Sequence, residues 1–124
     1  MDGNLMEEEL SYRIRGCVFE VYRQLGAGFL EKVYERALLL ELRSAGLKVE
    51  AQVPLAVHYK SCQIGHFAVD LVVEDRVLLE LKAVSALRPE HQAQIINYLR
   101  ASGLRLGLLV NFAQPKAQVK RVVL

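Results

Sequence analysis

The chain has 124 residues, 52% of them apolar and 24% charged, with a formal net charge of +2. That length fits one domain over residues 1–124, and the apolar share excludes a disordered tail. The longest uncharged stretch, Leu106 to Pro115, falls well short of the roughly 18 residues of a membrane helix, and Asp2, Glu7, Glu8 and Glu9 argue against a signal peptide.

From about Met6 to Leu25, the residues Leu10, Ile14, Cys17, Val18, Val21 and Leu25 recur at helical spacing and predict a first helix. Gly26-Ala27-Gly28 interrupts it, and a second helix is expected from about Leu30 to Ala45, with Gly46 as its stop. The period then changes to alternation. Lys48 to Val53 and Leu55 to Tyr59 read as strand punctuated by Pro54, which suits an edge or a bulge. Gln63 to Val73 and Arg76 to Val84 read as two further strands joined by a tight turn. Pro89 opens a third helix, expected to run to about Ala101 and stop near Gly103. Leu104 to Asn111 is nearly all apolar, the pattern of a strand covered on both faces. Lys120 to Leu124 is a candidate edge strand. The order describes a single α/β (α+β) domain.

Charge is uneven along the chain. From position 81 onward Lys82, Arg88, Arg100, Arg105, Lys116, Lys120 and Arg121 stand against Glu90 alone, while the acidic side chains concentrate earlier. A basic half of this kind attracts a polyanion, although uneven surface charge is also common without one. Cys17 and Cys62 have no metal-site spacing and do not suggest a disulfide framework, so a reducing cytoplasm is the expected setting.

Hydrophobic patterning sets the register of the central hairpin. If Glu74-Asp75-Arg76 form the loop, Val73 faces Val77, Leu71 faces Leu79 and Val69 faces Leu81. The opposite face then carries Asp70 across from Glu80, with Lys82 two residues on. Opposed carboxylates repel, and Lys82 or a divalent cation would neutralise them. A solvated salt-bridge cluster is the plainer alternative.

Asp70 followed by Glu80-Leu81-Lys82 resembles the D…(D/E)-x-K signature of PD-(D/E)XK nucleases. Gly28-Phe29-Leu30-Glu31-Lys32-Val33-Tyr34 matches G-x-x-E-x-x-Y, the motif for which one family of that superfamily is named. Gln94-Ile95-Ile96-Asn97-Tyr98 matches the Q-x-x-x-Y element of exonuclease-type members. The resemblance covers about Leu25 to Phe112. It implies a restriction-endonuclease-like core, with a central mixed sheet of about four to six strands flanked by helices. The implied activity is Mg²⁺-dependent phosphodiester hydrolysis in nucleic acid, DNA before RNA, with Mn²⁺ as a substitute. Asp70, Glu80, the Leu81 carbonyl and Glu31 would hold the metal, Lys82 would orient water and stabilise charge, and Gln94 would support them. Tyr98, Tyr34 and Gly28 take supporting roles. Arg88, Arg100 and Lys116, with Arg105 and Lys120, are candidates for phosphate contacts.

Each position also has a plainer reading: Glu31 as a helix-terminal charge, Tyr34 as packing, Gln94 as a surface amide above a core Tyr98. His91, one turn before Gln94, is a weaker candidate for the leaving phosphate, and His58 and His66 receive no chemistry. The alternative function is a catalytically weak or inactive module that keeps a nuclease-like core and binds nucleic acid or a partner protein. The small size leaves a homodimer or a partner protein open as the means of gripping a duplex.

Overall fold

The structure is a computed structural model and describes residues 7–124. The expected helix start at Met6 and the acidic residue Asp2 lie outside the described residues. The elements are α1 (Glu8–Leu25), α2 (Glu31–Ser44), β1 (Val49–Tyr59), β2 (Cys62–Val73), β3 (Val77–Lys82), α3 (Pro89–Ser102), β4 (Leu106–Asn111) and β5 (Gln118–Val123). The five strands form one mixed sheet in the order β1-β2-β3-β4-β5, with only β3 and β4 parallel. Five strands fall within the expected four to six.

The crossover through α3 puts that helix on one face of the sheet and leaves α1 and α2 on the other. Alternation along the strands sorts the core accordingly. Leu71, Val73, Leu79, Leu81, Leu108 and Val110 pack with α1 and α2, burying Ile14, Val18, Tyr34 and Leu38. Val72, Leu78, Leu109 and Val122 pack with Ile95, Tyr98 and Leu99 of α3. Gly107 permits that second packing, since a Cβ there would lie 2.8 Å from Ile95 Cδ1.

β1 runs unbroken through Pro54, which pairs with Ala68. This is possible because β1 is the sheet edge, where the missing N–H is not needed for a second ladder. The expected hairpin register holds for Leu71–Leu79, Val72–Leu78 and Val73–Val77, with the loop at Glu74-Asp75-Arg76. Glu74 and Asp75 both adopt left-handed backbone, at φ 54° and 55°.

The pairing stops at Leu71, which corrects the expected Asp70–Glu80 and Val69–Leu81 pairs. Beyond that point β2 leaves β3. Val69 joins the α3-side core instead of the face that holds Leu71 and Leu81. Between the Ala51–Leu71 and Val53–Val69 pairs, Gln52 of β1 stands across from Asp70 and takes a left-handed φ of 52°. Val53, Leu55 and Phe67 of the outer half of the hairpin rest against the α3-side core, and Phe67 meets Tyr98 with ring centroids 5.1 Å apart. The sheet therefore forks at Asp70. Among the described residues no helix is long and apolar enough to cross a membrane.

Candidate active site

At the fork, side chains replace the missing ladder bonds. The Leu81 N–H donates to Asp70 Oδ2 at 2.8 Å, and the Asp70 N–H donates to Glu80 Oε1 at 3.1 Å. The two carboxylates thus cross-brace the strands, each using one oxygen, while Glu80 Oε2 accepts no hydrogen bond among the described residues. Glu80 is only 4% exposed. Burial, then the charge of Asp70, push its carboxyl up to about 8 from an ordinary 4.5. Burial also raises Asp70, with Glu35 adding to the effect, against the lowering influence of the Leu81 N–H bond.

α2 delivers Glu31 to this fork. The helix entry is held by Tyr34, which is fully buried, stacked on Phe112 at 4.3 Å, and donates its hydroxyl to the Gly26 carbonyl at 2.6 Å. The same hydroxyl accepts the Phe29 N–H at 3.2 Å. Between them Gly28 has φ 106°, a conformation that a residue with Cβ resists. Tyr34 and Gly28 therefore shape the turn that places Glu31 as the first residue of α2. Glu31 is an exposed residue whose carboxyl is partly shielded from water; that shielding is the main influence raising it, the charge of Lys82 opposes it, and Asp70 and Glu35 reinforce it.

Two residues that the sequence reading passed over belong to this cluster. Glu35 is 8% exposed and ion-paired to Lys32 at 3.2 Å. Gln52 Nε2 bridges Glu35 Oε1 at 2.7 Å and Asp70 Oδ1 at 3.4 Å. A carboxylate one helical turn after Glu31, between the buried Tyr34 and Leu38, was a usable signal for Glu35. Nothing in the sequence marks Gln52, whose reach depends on its left-handed backbone.

From the other face, α3 presents His91, Gln94 and Tyr98 along one side. Tyr98 is 5% exposed, and burial followed by the charges of Glu80 and Asp70 pushes its phenol up to about 12, so it stays protonated beside the carboxylates. His91 caps the helix: its Nδ1 accepts the Arg88 N–H at 3.0 Å and its own N–H donates to the Arg88 carbonyl at 3.0 Å. His91 lies near enough to influence Glu31, so the starts of both helices converge on the fork. Gln94 is partly exposed on the same side of α3. Lys82 is partly buried on the α3 side of β3, and its charge acts on Glu31, Asp70 and Glu80 without a direct ion pair. Asn111, fully buried, clasps the Val84 backbone through its side-chain oxygen and nitrogen, both at 3.0 Å, and so anchors the loop that follows Lys82.

Among the described residues, no three His, Cys, Asp or Glu side chains are already grouped as a metal cage. The expected set of Asp70, Glu80, Leu81 and Glu31 is a neighbourhood rather than a finished coordination shell. Its chemistry nevertheless suits a divalent cation, because the charge of a single ammonium, Lys82, acts on three carboxyl groups disfavoured in their charged form. Arg100 and Lys116 are exposed and line no cavity with these groups, whereas Arg88 and Lys120 lie together on the α3 face.

A family model described as the PD-(D/E)XK nuclease superfamily matches residues 8–122. The crystal structure of SSO0001 is similar in fold, with a TM-score of 0.61 at 15% identity over 75% of this chain. The match covers 50% of that protein's chain, so the present chain spans about half its length. No curated protein matches the sequence.

Proposed function

Because the chain belongs to the PD-(D/E)XK nuclease superfamily, we propose that it hydrolyses phosphodiester bonds in nucleic acid, with DNA as the substrate and Mg²⁺, replaceable by Mn²⁺, as the cofactor. Within the superfamily we assign it to the group carrying G-x-x-E-x-x-Y, on Gly28, Glu31 and Tyr34. The observation that carries the reading is the fork itself. Asp70 and Glu80 brace two diverging strands while the charges of Glu31 and Lys82 act on the same point, leaving more carboxylate than cation around the buried Glu80.

Asp70, Glu80 and Glu31, with the Leu81 carbonyl, would hold the ion. When bound, it supplies Lewis acidity and a lowered pKa for attacking water. Lys82 contributes positive charge beside the phosphoryl oxygens and orients the water. Tyr98 and Gln94 offer hydrogen bonds from α3. Glu35 and Gln52 hold the Asp70 carboxylate in place. The cytoplasm is the proposed setting, on the two free cysteines.

Labelled single-stranded, duplex and branched DNA incubated with Mg²⁺ or Mn²⁺ should be cut, and chelation should stop the cutting. Asp70→Ala and Lys82→Ala should each remove cleavage by a factor of 10² or more, roughly the 2.7 kcal/mol of one charge-stabilising group. DNA that is bound but left intact by the wild-type protein in both metals would favour the binding-module alternative and sink the catalytic one.

A further inference from the structure

We propose that the cavity between the start of α3 and β5, lined by Arg88, Gln92 and Lys120, binds a phosphate group of the nucleic-acid substrate close to the bond cut at the fork. This rests on the nuclease reading and adds a subsite to it. The cavity measures about 280 Å³ and is completed by Leu87, Pro89 and Leu109. Taking roughly 30 Å³ for one liquid water, it admits a phosphate group with water around it.

The chemistry of the lining is one-sided. Arg88 comes from the residue before α3 and Lys120 from β5, so two separate elements bring like charges to one hollow that no carboxylate lines. Neither cation has an ion-pair partner among the described residues. Gathered cations without a counter-charge favour an anion, and the arginine fork suits phosphate oxygens. Gln92, one turn into α3 from Arg88, adds an amide donor, and Leu87 and Leu109 give the hollow an apolar floor beneath the exposed Arg88 and Lys120.

Strand register then ties the cavity to the fork. Glu80 pairs with Leu109, and Leu109 pairs with Lys120, so the three lie abreast on the α3 face. With about 4.8 Å between neighbouring strands, the backbones of Glu80 and Lys120 are about 10 Å apart. At about 3.4 Å of rise per nucleotide, that is a few nucleotides. α3 separates the two places: His91, Gln94 and Tyr98 lie toward the carboxylates, and Arg88 and Gln92 toward Lys120. A strand crossing the start of α3 would meet both.

The test compares wild type with Arg88→Gln, Lys120→Gln and the double variant, using fluorescently labelled single-stranded and duplex oligonucleotides in EDTA over a salt series. The double variant should bind about tenfold more weakly at low salt. The slope of log affinity against log salt should flatten by about 0.7–0.9 for each charge removed. Lys120→Arg should restore affinity, which keeps the result readable if the double variant is unstable. Oligonucleotides ending in phosphate or hydroxyl separate two sources of the anion. A preference for the phosphorylated end that the variants lose identifies a terminal phosphate; equal losses on both identify an internal phosphodiester. In parallel, bis(p-nitrophenyl) phosphate with Mn²⁺ reports the fork alone, since it has no flanking phosphate. If neither protein hydrolyses it while the double variant still loses affinity, the catalytic reading falls and the subsite stands. Wild-type affinity and salt slope in the double variant overturn the subsite, whatever happens at the fork.

Discussion

In the folded chain the Glu80 carboxyl gives up its proton only near about 8, against an ordinary 4.5 when the chain is unfolded. An acid raised in this way binds its proton more tightly in the folded state. Its favourable share of stability is present below 4.5 and is lost as pH rises through about 8, because the folded chain must then carry a buried charge. Without metal, the melting temperature should therefore fall between pH 5 and pH 9. Glu80→Gln, which keeps an oxygen to accept the Asp70 N–H, should flatten that fall. Saturating Mg²⁺ at pH 8 should raise the wild-type melting temperature and leave Glu80→Gln nearly unchanged. At 100 times the dissociation constant the gain is about 2.7 kcal/mol, on the order of 10 °C for a domain of this size. Thermal melts over pH, with and without Mg²⁺, check all three. Strand alternation placed Asp70, Glu80 and Lys82 on one face of the hairpin, and the resemblance to the G-x-x-E-x-x-Y motif singled out Glu31. Gln52 was not legible in the sequence, since its place depends on a backbone turn that no local pattern encodes.

Two elements are positioned by single polar side chains. Asn111 in β4 satisfies the Val84 N–H and carbonyl, and so fixes the loop leading from Lys82 to α3. Asn111→Ala strands both backbone groups and should cost about 1–3 kcal/mol, read as a lower urea midpoint with unchanged slope. Activity should fall further than stability alone explains, because Lys82 loses its anchor on the C-terminal side. At the entry to α2, Tyr34→Phe removes the hydroxyl that ties Gly26 to Phe29 while keeping the stack on Phe112. Stability should drop by about 1 kcal/mol, with cleavage reduced through a misplaced Glu31. Helices and strands were readable from period and punctuation, and their ends mostly fell within two or three residues of expectation. The end of the β2–β3 ladder was not. Apolar alternation continues through Val69, and only the carboxylates of Asp70 and Glu80 taking over backbone hydrogen bonds stop the pairing.

At the scale of the molecule, two cores on opposite faces share one sheet, and the outer hairpin leans on only one of them. Replacing residues 57–65 by a two-residue turn removes no member of either buried cluster. The melting temperature should stay within a few degrees of wild type, whereas a cut extending through Phe67 uncovers Tyr98 and should lower it clearly. Circular dichroism melts of both deletions decide this. The topology was only partly legible: the order of elements gave an α+β domain and the resemblance implied a mixed sheet, but the facing of α3 against α1 and α2 required the crossover to be seen.

The parting of β2 from β3 has an evolutionary edge. A β-branched apolar residue in place of Asp70 would allow the two strands to zip further, relieving crowded negative charge and yielding a sturdier but inert protein. Under the proposed function, selection for robustness and selection for chemistry pull on one position in opposite directions. A library at that codon, sorted separately for thermal endurance and for DNA cutting, should return different winners.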